Sequence, residues 1–355
     1  MEFGLSEQQI LLQDNVTRFL REHYPLDRVR RFAAGEDDTP SAHRGMTELG
    51  IPALLIKEDY AGVDLGLLDA AVVSEALGYG VAPTAFTAST VIVPKAISLG
   101  GTAEQCERYL PRLASGSIRA AAAISELNGA RLTAQVTEAN GKLNGRALFV
   151  LDFGADLYLV ADNNRKLHLV DRDAVGLTTR LLPSIDATRP VGELEFKNTP
   201  ATALNCSDAD LTAILDAGRI ALAADTLGAA QSMLDQAVAY ALEREQFDRV
   251  IASFQAVKHM CAEMAAALEP CRAMVWYAAY AQDTKLPEAH KYACLTKAHL
   301  SDVGQFVART ATEVHGGMGF TDLVGLHYWF KRIGANRQYL GSPERCREDA
   351  ARLIA

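Results

Sequence analysis

Arg244-Glu245-Gln246-Phe247 closes a long apolar-periodic segment, and His315-Gly316-Gly317-Met318-Gly319-Phe320 follows it in the last third of the chain. These residue types suit anion binding. A guanidinium presents a rigid fork of donors that a diphosphate can accept in pairs, and glycines let backbone N–H groups approach a phosphate or ribose with no Cβ in the way. Taken singly, Arg244 is an ordinary charge near a helix end, and Gly316, Gly317 and Gly319 are an ordinary interhelical turn. Nearby Glu313 is acceptor-only when charged and does not suit a phosphate. Acid-base chemistry needs a carboxylate, and Asp225 lies among Ala223, Ala224 and Leu227. Burial there would raise its pKa toward a range useful for a base; a helix–helix hydrogen bond is the preferred reading.

The elements that position these residues fall into three textures. Over the first hundred or so residues Ser6 with Gln9 forms a capping box, and Leu5, Leu12, Val16, Phe19 and Leu20 recur at helical spacing. Residues 67–78 and 102–113 continue the helical pattern, with Gly50, Gly62, Gly78, Gly80, Pro52 and Pro83 at the joints. After about Ser117 short apolar runs at 120–125, 143–150, 157–160, 167–170 and 191–196 alternate with turns such as Asn140-Gly141, the pattern of a small antiparallel barrel or sandwich. From about Leu211 the helical period returns, with Ile220, Ala223, Ala224, Leu227, Ala230, Met233, Leu234 and Ala237 on one long face. The reading is mostly α with a central β domain: a helical domain at 1–118, a β domain at 119–208 and a helical bundle at 209–355.

The 355 residues are 49% hydrophobic, enough to bury a substantial core, and the net charge of −9 argues against nucleic acid as a partner. Cys106, Cys206, Cys261, Cys271, Cys294 and Cys346 show neither C-x-x-C pairing nor a zinc-type histidine spacing. They read as buried, reduced thiols, and no metal is expected. The first residues do not form a basic region feeding an apolar run, and the expected compartment is the cytosol.

The three-part order, together with particular motifs, resembles the acyl-CoA dehydrogenase family across nearly the whole chain. Residues 107–116, Glu-Arg-Tyr-Leu-Pro-Arg-Leu-Ala-Ser-Gly, resemble the family's approach to its β domain. Residues 240–247, Tyr-Ala-Leu-Glu-Arg-Glu-Gln-Phe, followed by 254–259, Phe-Gln-Ala-Val-Lys-His, resemble the signature at the first two helices of its C-terminal four-helix bundle. The resemblance implies FAD held between two subunits. One subunit's β domain takes the flavin ring, and the neighbour's C-terminal motifs take the ADP part. Arg244 would bind the diphosphate, Phe247 would pack on the adenosine side, and Gly316, Gly317 and Gly319 would bring N–H groups to phosphate or ribose.

Several family features are missing. The family's Thr-Glu-Pro-x-x-Gly-Ser-Asp motif corresponds here to Ser125-Glu126-Leu127-Asn128-Gly129-Ala130-Arg131-Leu132, and Trp-Ile-Thr-Asn to Leu148-Phe149-Val150-Leu151. The family's glutamate base corresponds to Leu340 in Tyr339-Leu340-Gly341-Ser342, and its alternative position on the first long C-terminal helix to Gly218, before Arg219. Asp225, Glu344 and Glu126 are the carboxylates that could replace it, with Asp225 foremost.

The resemblance therefore implies a base-lacking subunit of a heteromeric acyl-CoA dehydrogenase, like the degenerate member of the paired actinobacterial enzymes that shorten steroid side chains. A homologous catalytic subunit would join it in a two-plus-two heterotetramer that shares FAD, oxidises an acyl-CoA thioester and passes electrons to an electron-transfer flavoprotein. The alternatives are a self-sufficient homotetramer whose base is Asp225, and a flavin-free scaffold.

Overall fold

The computed structural model describes residues 4–37, 39–128 and 135–353. Among them helices come first: α1 (Glu7–His23), α2 (Leu26–Ala33), α3 (Thr39–Glu48), α4 (Leu67–Tyr79), α5 (Val93–Gly100) and α6 (Ala103–Ala114). Strands follow: β1 (Ala120–Ala123), β2 (Val136–Ala139), β3 (Lys142–Leu151), β4 (Leu157–Ala161), β5 (Leu167–Asp171), β6 (Leu177–Leu182), β7 (Val191–Pro200) and β8 (Thr202–Ala203). The last block is α7 (Asp208–Glu243), the hairpin β9 (Glu245–Gln246) and β10 (Arg249–Val250), then α8 (Gln255–Asp283), α9 (Ala289–His315), α10 (His327–Gln338) and α11 (Pro343–Ala351). The expected order of helix, strand and helix is the one observed.

By internal contacts the chain forms two compact units, one of Met1–Ala33, Ala71–Ala82 and Arg219–Ala355, the other of Ala34–Ala70 and Pro83–Gly218. In the first unit α1 starts where the Ser6 hydroxyl accepts from Gln9 N at 3.3 Å and the Gln9 side chain accepts from Ser6 N at 3.0 Å. Both exchanges satisfy N–H groups that a helix start leaves orphaned. Residues 219–230 of α7 are all buried, which its alanines permit by letting neighbouring helices come close. One close crossing is with α4, where a Cβ on Gly78 would overlap the Asp225 carbonyl and one on Gly228 the Glu75 carbonyl. The Ser74 hydroxyl donates to the Ala221 carbonyl at 2.7 Å across the same crossing. Helix α9 packs on α8, α10 and α11.

The second unit holds the sheet, in the order β6-β7-β3-β1-β4-β5-β8, with β2 paired to β3. The sheet differs from the all-antiparallel expectation at one seam: β1 and β4 run parallel, pairing Ala120 with Leu157 through Ala123 with Val160. The connection between them carries the β2–β3 hairpin and is long enough to return the chain in the same direction. Strand β6 was not legible as an apolar run, since four of its six residues are exposed. Leu143, Ala147, Val150, Tyr158, Val170, Leu194 and Phe196 fill the core of this unit. No disulfide forms among the described residues. Cys206 and Cys261 are only half-buried, unlike the other four cysteines and contrary to the expectation that all six are buried.

Candidate functional site

Arg244 follows the last residue of α7 and is exposed, and among the described residues its guanidinium makes no ion pair or hydrogen bond. Its backbone is held at both ends: Arg244 N donates to the Tyr240 carbonyl, and its own carbonyl accepts from Ile251 N, each at 2.8 Å. The β9–β10 hairpin that follows turns on Phe247 and Asp248, at φ +54° and +60°. Two successive positive φ values are what a tight two-residue turn demands, and a bulky ring there is strained. Phe247 is nevertheless 86% exposed, touching Phe254 edge-on at 6.1 Å. Above Phe254 the Arg249 guanidinium sits 4.0 Å from the ring centroid.

The glycine segment forms a 3₁₀ turn, Gly316–Phe320, at the end of α9. Gly316 has φ +57° and ψ −138°, a conformation for glycine alone. A Cβ at Gly316 or Gly317 would meet nothing within 4 Å, so both face open space. Gly319 is different. It is buried, and a Cβ there would lie 2.8 Å from the Thr312 carbonyl and 3.1 Å from the His315 Cβ, so its bareness serves the packing of its own helix end.

What joins the two motifs is a contact that spacing alone does not announce. Tyr240, one turn before Arg244 on α7, stacks on His315 at 4.6 Å and 24°. The His315 Nδ1 lies 2.8 Å from the Ala311 carbonyl, and burial holds the imidazole below its ordinary pKa, hence neutral against the tyrosine ring. The stack thus ties the stem of Arg244 to the start of the glycine turn. Glu313 is exposed and turned to solvent.

Of the carboxylates that sequence left open, neither Asp225 nor Glu344 is poised as a base. Asp225 is fully buried, and both of its oxygens are bonded: Oδ1 accepts from Asn336 Nδ2 at 2.6 Å and Oδ2 from Arg332 Nη1 at 3.2 Å. It is the helix–helix clasp of α7 and α10, and Arg332 also donates to the Ala82 carbonyl at 3.2 Å. Glu344 is exposed in the first turn of α11, 3.2 Å from Arg337 Nη2. Hydrogen bonding from its own backbone N–H and from Ser342 holds it below the usual carboxylate range, the opposite of what a base needs. The Glu126 side chain and residues Gly129, Ala130, Arg131 and Leu132 lie outside the described residues.

Leu340, where the resemblance expects a glutamate, is buried at φ +56°. Its carbonyl accepts from Arg219 Nε at 3.0 Å, while Arg219 Nη2 pairs with Asp349 at 2.9 Å and Nη1 lies 3.0 Å from the Cys294 sulfur. Lys297 approaches the same turn with Nζ at 3.5 Å from the Gly341 carbonyl, 3.4 Å from that of Arg337 and 3.3 Å from Ser301 Oγ. Burial pushes its ammonium down to about 8. Sequence reasoning assigned no role to Arg219 or Lys297. The signal available was a charge inside an otherwise apolar stretch: Arg219 between Ala217 and Ile220, and Lys297 between Ala293 and Leu300.

In the second unit the two altered motifs touch. The Ser125 hydroxyl donates to the Phe149 carbonyl at 3.3 Å, so its proton is committed to the chain's own backbone. Phe149 sits at φ +54° in an irregularity of β3 between Ala147 and Val150. A bulge of this kind re-aims side chains locally; here it presents Leu148 and Phe149, which carry no hydroxyl.

A helical N-terminal part, a central sheet and a C-terminal helical bundle carrying these motifs define an acyl-CoA dehydrogenase. The chain belongs to that family: residues 6–117 match the acyl-CoA dehydrogenase N-terminal domain and residues 209–355 the C-terminal domain. It is 30% identical over 355 residues to acyl-CoA dehydrogenase IpdE2 of Mycolicibacterium smegmatis, covering 99% of each chain. A solved variant of the Tcur3481-Tcur3483 steroid ACAD is 28% identical, with a TM-score of 0.88 and 98% of each chain covered. The CarC subunit of the caffeyl-CoA reductase-Etf complex of Acetobacterium woodii is 27% identical over 275 residues, 68% of this chain and 69% of its own. No helix among the described residues is long and apolar enough to cross a membrane.

Proposed function

We propose that this chain is the base-lacking subunit of a heteromeric, FAD-dependent acyl-CoA dehydrogenase and lends ADP-side contacts to a homologous catalytic partner chain. The observation that carries the reading is an asymmetry within the chain. A donor set for a diphosphate stands open at Arg244, Gly316 and Gly317, whereas Leu340 and Gly218 bear no carboxylate and Asp225 is bonded at both oxygens.

The residues present fit the nucleotide half of FAD. Arg244 is an unengaged guanidinium able to form charge-assisted bonds, Phe247 offers an exposed ring to the adenosine side, and the N–H groups of Gly316 and Gly317 have open space before them. Gly319 is buried and so offers less access than Gly316 or Gly317. The residues of the second unit do not fit the flavin ring equally well, because the Ser125 proton is spent on Phe149 and Leu148-Phe149 offer no hydroxyl. FAD supplies a hydride acceptor in this reaction class. A base must take the α-proton of the thioester, and its loss forfeits roughly 10²- to 10⁴-fold in rate, so the carboxylate and the ring-binding cleft come from the partner chain.

The relatives support the finer points. The paired name of the steroid ACAD favours a two-plus-two heterotetramer and a steroid side-chain acyl-CoA as substrate, and CarC's place in an Etf complex favours an electron-transfer flavoprotein as acceptor. A cytoplasmic location and a division into 1–118, 119–208 and 209–355 complete the reading. Tagging the full chain, purifying it with the subunit it carries, and measuring native mass and flavin absorbance together test it. Two copies of each chain with half the flavins of a homotetramer are expected. A yellow, active homotetramer would overturn the reading.

A further inference from the structure

The glycine turn is anchored at its near end by the Tyr240–His315 stack, and its far end is held by a residue nearly three hundred positions away. Arg30, on α2, is aimed by Asp27, whose Oδ1 accepts from Nη1 at 2.7 Å. The other arm of the guanidinium, Nη2, donates to two successive carbonyls, Asp322 at 2.5 Å and Leu323 at 2.8 Å, and Nε lies 3.8 Å from Asp322 Oδ2. Gly325, at φ +72°, closes the segment against α2: a Cβ there would stand 2.8 Å from Leu26 Cδ2. Burial holds this segment only at Gly319 and Gly325, and Phe320 is 79% and Leu323 77% exposed. Its other polar ties are local, among them Thr321 Oγ1 and Thr321 N to the Met318 carbonyl at 2.8 and 3.0 Å, Gly325 N to the Thr321 carbonyl at 3.4 Å, and Asp322 to His327 Nε2 at 2.9 Å and to the Tyr328 hydroxyl.

We infer that Arg30 is a positioning residue for the nucleotide loop: its clamp on the Asp322 and Leu323 carbonyls keeps the Gly316 and Gly317 N–H groups and Phe320 preset for the cofactor. The inference rests on the reading given above and deepens it. Arg30 touches no phosphate itself. It removes the ordering that binding would otherwise have to impose on an exposed loop, which is how preorganisation raises affinity.

The test uses the tagged full chain purified with its native subunits, carrying Arg30→Gln or Arg30→Lys, with Arg31→Gln on the same helix as control. Hydrogen exchange over residues 316–325 and FAD titration of the stripped assembly are read in parallel. In Arg30→Gln we expect exchange of this segment to rise and FAD affinity to fall, each about tenfold or more, the loss of charge-assisted bonds to two carbonyls. Excess FAD is expected to restore full occupancy, which a misfolded protein would not show. Arg30→Lys, which keeps the charge and loses the fork, is expected to fall between, and reads the same quantities where Arg30→Gln does not fold. Unchanged exchange overturns the inference, as does unchanged affinity when Arg244→Ala loses flavin. If Arg244→Ala also keeps its flavin, the cofactor reading itself fails and takes this inference with it.

Discussion

Arg219 donates from Nε to the Leu340 carbonyl oxygen at 3.0 Å, so the residue after Gly218 holds the turn at Leu340 in place. The link is supported by Asp349 on Arg219 and by Lys297 on the Gly341 carbonyl. Leu340→Glu therefore puts a carboxylate into a turn already locked by cations. The Ser125 hydroxyl would still be given to the Phe149 carbonyl, and Leu148 and Phe149 carry none. The isolated variant is expected to show no dehydrogenation above background in an assay with an artificial electron acceptor; turnover without a partner chain would contradict the account of the β domain.

Among the described residues the Arg244 guanidinium makes no ion pair or hydrogen bond, which separates its roles in binding and folding. Arg244→Ala should leave unfolding free energy within about 0.5 kcal/mol of the parent. It should weaken flavin retention in the assembly by about 10- to 100-fold, the worth of hydrogen bonds to a charged group. Melting curves beside flavin-to-protein absorbance ratios check both halves.

Gly317 and Gly319 are expected to respond in opposite ways. A methyl group at 317 meets open space, so Gly317→Ala should fold normally and lose flavin through blocked approach. Gly319→Ala drives a Cβ to 2.8 Å from the Thr312 carbonyl and should cost roughly 1–3 kcal/mol of stability. Urea denaturation of the two variants side by side decides; equal stability would mean that the helix end yields.

Asp225→Ala leaves Arg332 buried without its carboxylate. Breaking such a pair from one side costs about 3–5 kcal/mol, and equilibrium unfolding should show a loss of that order. A variant as stable as the parent that loses turnover alone would restore Asp225 as a candidate base.

Lys297 makes stability depend on pH in a defined direction. Its folded pKa is about 8 against 10.5 as the ordinary value, so between those pH values the unfolded chain binds more protons than the folded one. Stability contributed by this site therefore rises with pH across that window. Relative to Lys297→Met, the parent should gain about 3 kcal/mol between pH 7 and pH 10.5. Urea midpoints of both proteins over this range read the difference, and a constant gap would remove the buried ammonium from the account.

Much of the candidate site was legible because its parts are contiguous. The capping box at Ser6, the helical period of α7, and the Arg244 and Gly316 motifs are local signals, each readable within a turn or two of chain. The parallel β1–β4 seam was not legible, because strand direction depends on where a long connection returns. Exposed β6 escaped because a strand that pairs without burying its side chains leaves no apolar run.

The sequence by itself determined the order of helices and sheet, the spacing of the Arg244 and Gly316 motifs and the absence of a glutamate at Leu340 and Gly218. Tertiary structure decided what those residues are free to do. Only packing shows that Gly319 serves its own helix end while Gly317 stands open, and that Asp225 is consumed by Arg332 and Asn336. It also brings Tyr240 against His315 and Arg30 against Asp322. The reason is physical: whether a polar group binds a ligand or its own protein depends on partners a hundred or more residues away, and no local periodicity encodes them.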